Sequence, residues 1–190
     1  NIGSMVALLT YPVVVEPLFG LKEQSVILTY GFGLLTLAMM ACAWCVMTAK
    51  PIQAEKAVPK EVLPTTSRQR WTWIGLSFAP SSLLLGVTTF LSTDLTPMPL
   101  IWVVPLALYL LTFILAFSDR IRLPLPMLSR LAPILVTPMA LAIILEATQP
   151  LELIAPLHLL TFFVVALTVH GRLSAEKPDP AHLTEFYLWI

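Results

Sequence analysis

Charged residues in this chain are sparse and clustered, and the intervals between them are long and apolar. Between Glu23 and Lys50 lie 26 uncharged residues, between Arg70 and Asp94 lie 23, between Asp94 and Asp119 lie 24, and between Glu152 and Arg172 lie 19. A helix rises about 1.5 Å per residue, so roughly 20 apolar residues cross a hydrocarbon core about 30 Å thick. Each interval is long enough to span. The run from Leu131 to Leu145 holds 15 residues and needs interfacial positions, Ser129 among them, to complete a crossing. Residues 1–15 read as the end of one span, and the chain from about Leu183 as the start of another. Lipid offers no water to an open sheet edge, so the spans must be helices. The pattern predicts an all-α fold: a polytopic transmembrane bundle of about five complete spans with a partial span at each end, an internal stretch of a longer protein.

The same pattern sets the expected organisation. Residues 1–49 hold the end of one helix and a second span, 50–70 form a linker rich in charge and proline (Pro51, Pro59, Pro64), 71–171 carry four transmembrane helices, and 172–190 begin a further helix. Alternating crossings put the segments 50–70, 118–130 and 172–182 on one side, with ten of the 11 Lys and Arg; only Lys22 falls on the other. Lys and Arg collect on the cytoplasmic side of membrane proteins, which places these three segments in the cytoplasm and the chain in a bacterial inner membrane. Trp71, Trp73 and Trp102 sit near span ends, where amphipathic rings meet the headgroups.

Composition agrees. Hydrophobic residues make up 57%, charged residues 12%, and mean hydropathy is +0.85. A soluble domain of this size carries about 25% charged residues, and half that supply cannot wet a globule. The expected surroundings are lipid. A net charge of zero gives no electrostatic footprint for nucleic acid, and two cysteines cannot build a disulfide framework.

Candidate chemistry is thin. In the third span Ser77, Ser81, Thr88 and Ser92 share one helix face, and Ser82, Gly86, Thr89 and Thr93 lie one residue round, with Pro80 between. Such a strip serves either close helix packing with interhelical hydrogen bonds or the wall of a polar pathway. Ser81, Ser82, Thr88, Thr89 and the following Asp94 are the ligand or pathway candidates. Asp94 also stands in a tight reversal where Thr96 and Pro97 suit the start of a helix. His158 and His170 share the sixth span but lie about 120° apart around it, so they cannot hold one metal together; each is a weak cofactor-ligand candidate. Cys42 and Cys45 form a C-x-x-C inside an apolar helix, without the electropositive, accessible setting that makes a thiolate. His182 and Glu185 are three apart in a first turn, a polar helix start that needs no metal. Gly31-Phe32-Gly33 lacks the third glycine of a dinucleotide fingerprint and sits within a span. No catalytic residue, metal site or cofactor is expected.

Three stretches together carry a resemblance: Asn1-Ile2-Gly3-Ser4 through Tyr11-Pro12 to Glu16-Pro17; Pro80-Ser81-Ser82 through Gly86-Val87-Thr88-Thr89, Asp94 and Pro105-Leu106-Ala107-Leu108-Tyr109; and His170-Gly171 through His182-Leu183-Thr184-Glu185 to Trp189. They resemble the membrane region of bacterial spermidine-synthase-like integral membrane proteins, in which transporter-like helices are joined to an aminopropyltransferase-like domain. The resemblance implies further helices on both sides and a soluble α/β domain beyond Ile190. Phe90 and Arg172 depart from it: a His usually follows the Thr-Thr pair, and an acidic residue follows His-Gly. The glycine loop and acidic residues of an aminopropyltransferase are not in these 190 residues. Three functions follow as expectations: a scaffold or accessory subunit in a membrane assembly, held by partner proteins or self-association through small-residue helix faces; a transporter-like module for a small solute such as a polyamine; and a tether for a catalytic domain elsewhere.

Overall fold

The computed structural model of the chain describes residues 2–49, 64–95 and 100–190, and the described residues are helical with no strand among them. The all-α bundle expected from the charge intervals is the observed fold. Four helices are long and apolar enough to cross a membrane: Leu21–Thr48, Ser67–Thr93, Leu125–Ile144 and Leu151–Ala175. Two shorter apolar helices accompany them, Ile2–Leu18 and Val103–Ala116. The uncharged interval between Asp94 and Asp119 thus yields a shorter helix than its length predicts. The 14 residues of Val103–Ala116 cover about 21 Å. Most of the linker 50–70 and the Thr96-Pro97 helix start lie outside the described residues.

The chain divides into two compact units, Thr10–Leu63 and the remainder. Helix α1 (Ile2–Thr10) runs through a π-helical turn, Tyr11–Val15, into α2 (Glu16–Leu18). In the first unit the chain then turns at Phe19-Gly20 into α3 (Leu21–Thr48). Glu23 fixes the start of α3 by accepting from the Gly20 N–H at 3.0 Å, and Gln24 ties the turn by donating to the Phe19 carbonyl at 2.8 Å and accepting from the Tyr11 hydroxyl. No residue of α3 is buried, and its apolar side chains lie all round the helix. A 28-residue helix is about 42 Å long, ample for a bilayer crossing in which lipid covers those side chains.

The second unit is built around one helix. Here α4 (Ser67–Thr89), continued by a π-helical turn over Phe90–Leu95, α5 (Val103–Ala116) and α6 (Leu125–Ile144) all pack on α7 (Leu151–Ala175). Helix α4 begins at Ser67, ahead of the expected 71, because Thr66 and Gln69 cap it reciprocally: Thr66 Oγ1 accepts from Gln69 N and Gln69 Oε1 from Thr66 N. A short α8 (Leu183–Trp189) follows a single 3₁₀ turn, Pro180–His182, and returns to α4. At seven residues, it does not span a bilayer by itself.

Three clusters hold this unit together. Phe162 and Ala166 of α7 meet Val87 and Leu91; Val164 and Leu167 meet Leu128 of α6; Leu173 meets Trp73 and Phe186. These contacts use different sides of α7, which is why its buried residues do not follow a single stripe. In lipid the gain is close van der Waals packing rather than removal from water, so small residues matter where helices meet. Gly171 shows this. A Cβ there would lie 2.5 Å from Leu125 Cδ2 and 3.2 Å from Leu123 Cδ1. A side chain at this position would displace the ends of Leu125 and Leu123 where the segment entering α6 meets α7.

Candidate functional site

The hydroxyl strip of α4 does not face one place. Ser77 donates to the Trp73 and Ile74 carbonyls, Ser81 to the Ser77 carbonyl at 2.9 Å, and Ser92 to the Thr88 carbonyl at 2.7 Å, each closing on its own helix. Ser81 also reaches the Tyr109 hydroxyl of α5 at 3.2 Å. Ser82 points elsewhere, into a crevice bounded by α6 and α7. Thr88 is half-buried and Thr89 exposed, and neither lines that crevice. The Asp94 side chain lies outside the described residues. Helix α4 runs unbroken through Pro80, which is buried.

The two histidines are held apart, as their spacing predicts. His170 is fully buried between α7 and α5, with the rings of Tyr109 and Phe113 edge-on at 5.0 and 4.9 Å. Its Nδ1 lies 3.0 Å from Thr112 Oγ1. The Thr112 hydroxyl has one proton and donates it to the Tyr109 carbonyl at 2.7 Å, so towards the imidazole it accepts. This assigns the proton to Nδ1 and leaves Nε2 as a lone pair, which no group among the described residues reaches. The arrangement is structural: a donor relay from His170 through Thr112 to the α5 backbone.

His158 sits in a different setting. It is 2% exposed, and its Nδ1 lies 2.8 Å from the Ile154 carbonyl, an acceptor only, so Nδ1 carries the proton. Nε2 is again a buried lone pair with no partner among the described residues. The ring stacks on Phe90 at 4.3 Å with the planes 23° apart. Both rings border a cavity of about 300 Å³ that is also lined by Ser82, Leu83, Gly86, Val87, Met139 and Ile143. A second cavity, of about 580 Å³, shares Phe90 and Ile143 with the first and adds Thr93, Glu146 and Thr148. A largely apolar crevice bordered by His158 thus adjoins a more polar one. Sequence reading found Ser82 and His158 but missed Phe90, Met139 and Ile143. These come from two helices, α6 and the continuation of α4, and apolar residues within apolar spans carry no mark of which neighbours they will meet.

A polar clasp closes the opposite end of α4. Arg70 Nε lies 2.8 Å from Glu185 Oε1, the Thr65 hydroxyl donates to the same oxygen at 2.7 Å, and Arg70 also donates to Thr65 Oγ1 at 3.1 and 3.2 Å. His182 Nδ1 stands 3.5 Å from Glu185 Oε2, and the Arg70 guanidinium lies over the Trp189 ring. The Thr65 hydrogen bond is the largest influence and holds the Glu185 carboxyl below its ordinary pKa; desolvation opposes it, and the Arg70 charge adds a smaller push in the same direction as Thr65. Beneath the clasp Trp73 packs edge-on against Phe186 and donates to the Glu176 carbonyl. The His182–Glu185 pair therefore serves helix docking. Cys42 and Cys45 are free thiols on exposed positions of α3, and among the described residues no group of three His, Cys, Asp or Glu could hold a metal. No protein-family model, curated protein or solved structure matches the chain.

Proposed function

We propose that the chain is the membrane-embedded scaffold of a larger polytopic protein, the membrane region of a spermidine-synthase-like protein of a bacterial inner membrane, acting as an accessory subunit of a membrane assembly. The observation that carries this reading is the fate of the α4 hydroxyls. Ser77, Ser81 and Ser92 donate into their own helix and so stand as packing groups, not as rungs of a solute path. Acidic and basic residues lie towards the ends of the long helices, which also favours a structural role over movement of ions. The family reading rests on the three resembling stretches, and any aminopropyltransferase-like activity would belong to chain beyond them. Gentle extraction from native membranes tests the scaffold: the full protein should co-purify with partner subunits in fixed ratio, and a lone monomer in native lipid would overturn it.

The crevice beside Ser82 favours a second reading, a transporter-like module for a small solute. Ser82→Leu with Gly86→Leu, both in the lining of that crevice, would then abolish uptake into vesicles while leaving assembly intact. On the scaffold reading, solute flux is the same with and without the substitutions.

A further inference from the structure

We propose that the two adjoining crevices form one site for a membrane amphiphile with a primary ammonium head. Its alkyl chain lies in the apolar crevice bounded by α4, α6 and α7, and its ammonium group sits against the Glu146 carboxylate. The crevices share Phe90 and Ile143, so one elongated molecule can occupy both. The groups the ligand must touch are accessible: Gly86, Thr93, Ile143 and Glu146 are exposed, and Ser82 and Thr148 are half-buried. The apolar crevice lies against Ser67–Thr93, Leu125–Ile144 and Leu151–Ala175, three helices long enough to cross a bilayer, so its open side meets hydrocarbon. The polar crevice lies where α6 has ended and the chain turns into α7, at the level of lipid head groups. Among its described lining residues Glu146 is the one charged side chain, and Thr93 and Thr148 add hydroxyl acceptors. The Glu146 carboxylate has no hydrogen bond or ion pair among the described residues. An ammonium head complements that charge, and its N–H groups make charge-assisted hydrogen bonds that a neutral head cannot match. The backbone supports the same reading. Glu146 holds φ 51°, a left-handed conformation that favours glycine, so a carboxylate stands at this crevice against the local preference of the chain. The site requires neither solute movement nor partner subunits and so goes beyond both readings above.

The test uses dodecylamine and dodecanol, each carrying a diazirine at the far end of the chain, with the full protein in phosphatidylcholine nanodiscs at neutral pH. Photolabelling is mapped by mass spectrometry and compared at equal concentrations of the two probes in the membrane. The amine should label residues 82–87 and 139–143 saturably, with half-saturation at a concentration about tenfold below the alcohol's. Glu146→Gln removes the charge and keeps the left-handed backbone, whereas Glu146→Gly removes the charge and relieves the backbone. Both should bring the amine's half-saturation to the alcohol's. In the glycine variant the preference is lost from a protein no less stable than the parent, which separates loss of binding from loss of fold. Gly86 has open space where a Cβ would be, so Gly86→Leu fills part of the apolar crevice and should suppress labelling by both probes. Equal half-saturation of the two probes in the parent, an amine preference retained in both Glu146 variants, unsaturable labelling spread over all the helices, or undiminished labelling in Gly86→Leu would each overturn the proposal. If Gly86→Leu does not fold, the Glu146 pair decides alone.

Discussion

Thr112→Val is nearly isosteric and removes one oxygen from a buried relay, so its effect isolates a single interaction. In the native arrangement Thr112 accepts from His170 Nδ1–H and passes its own proton to the Tyr109 carbonyl. Valine cannot accept. The imidazole could shift its proton to Nε2, but no group among the described residues reaches that atom either, so each neutral tautomer buries an unpaired N–H. An unpaired buried donor costs about 1–3 kcal/mol. Hydrogen bonds between membrane helices average only about 0.6 kcal/mol, because groups in the unfolded reference state also find partners. That discount does not apply to a donor stranded in the folded state, so a loss of about 1–2 kcal/mol is expected, roughly a tenfold shift in the folding equilibrium. The assay is reversible unfolding in mixed detergent and SDS micelles. Thr112→Ser should retain most of the stability. The double variant Thr112→Val with His170→Phe removes donor and acceptor together and should lose less than the sum of the two single changes, a coupling of about 1 kcal/mol or more. Thr112→Val within 0.3 kcal/mol of the parent (roughly the floor at which coupled sites are told from independent ones), or strictly additive losses in the double variant, would refute the relay.

Three further outcomes follow from other parts of the fold. Helix α6 ends with Ala147 N–H on the Ala142 carbonyl and Glu146 N–H on that of Ile143, and Glu146 has φ 51°, a left-handed position that glycine usually fills. Glu146→Gly should therefore stabilise by about 1 kcal/mol in the same unfolding assay, and a destabilisation would contradict the assignment. Gly171→Leu forces side-chain atoms into Leu125 and should cost about 1–3 kcal/mol, whereas Gly171→Ala with Leu125→Ala should be tolerated; equal stability of all three proteins would show that the close approach is absent in solution. Because the Glu185 carboxyl titrates below its ordinary 4.5 when folded, the clasp's contribution is complete above that pH and is lost as pH falls below it. Near-ultraviolet circular dichroism around Trp73 and Trp189 should report this acid transition, and Glu185→Gln should remove its pH dependence.

Much of the fold was legible in advance because lipid is an exacting solvent. Long uncharged intervals must become helices, and Glu23, Arg70, Glu152 and Arg172 duly stand in the terminal turns of α3, α4 and α7. The interval after Asp94 was less informative, since a count of uncharged residues cannot say how many are helical. Its regular helix is Val103–Ala116. The site was legible only in its polar members. Ser81 and Ser82 are adjacent in sequence yet serve different neighbours, α5 and the crevice, because successive residues on a helix diverge by about 100°.

The sequence by itself determined that this chain is helical and apolar enough to live in a membrane, where its charges stand, and that no two of its histidines can converge from one helix. Tertiary structure decided that α7 is the hub, that Ser81 meets Tyr109 of α5 while Ser77 and Ser92 bond only their own helix, and that Phe90 and His158 stack at the edge of a crevice. The physical reason is that solvent preference acts on each segment separately and can be read one residue at a time. The choice of neighbour depends on shape and hydrogen-bond geometry between segments distant in sequence, and apolar side chains in lipid offer no alternation of polarity to encode it.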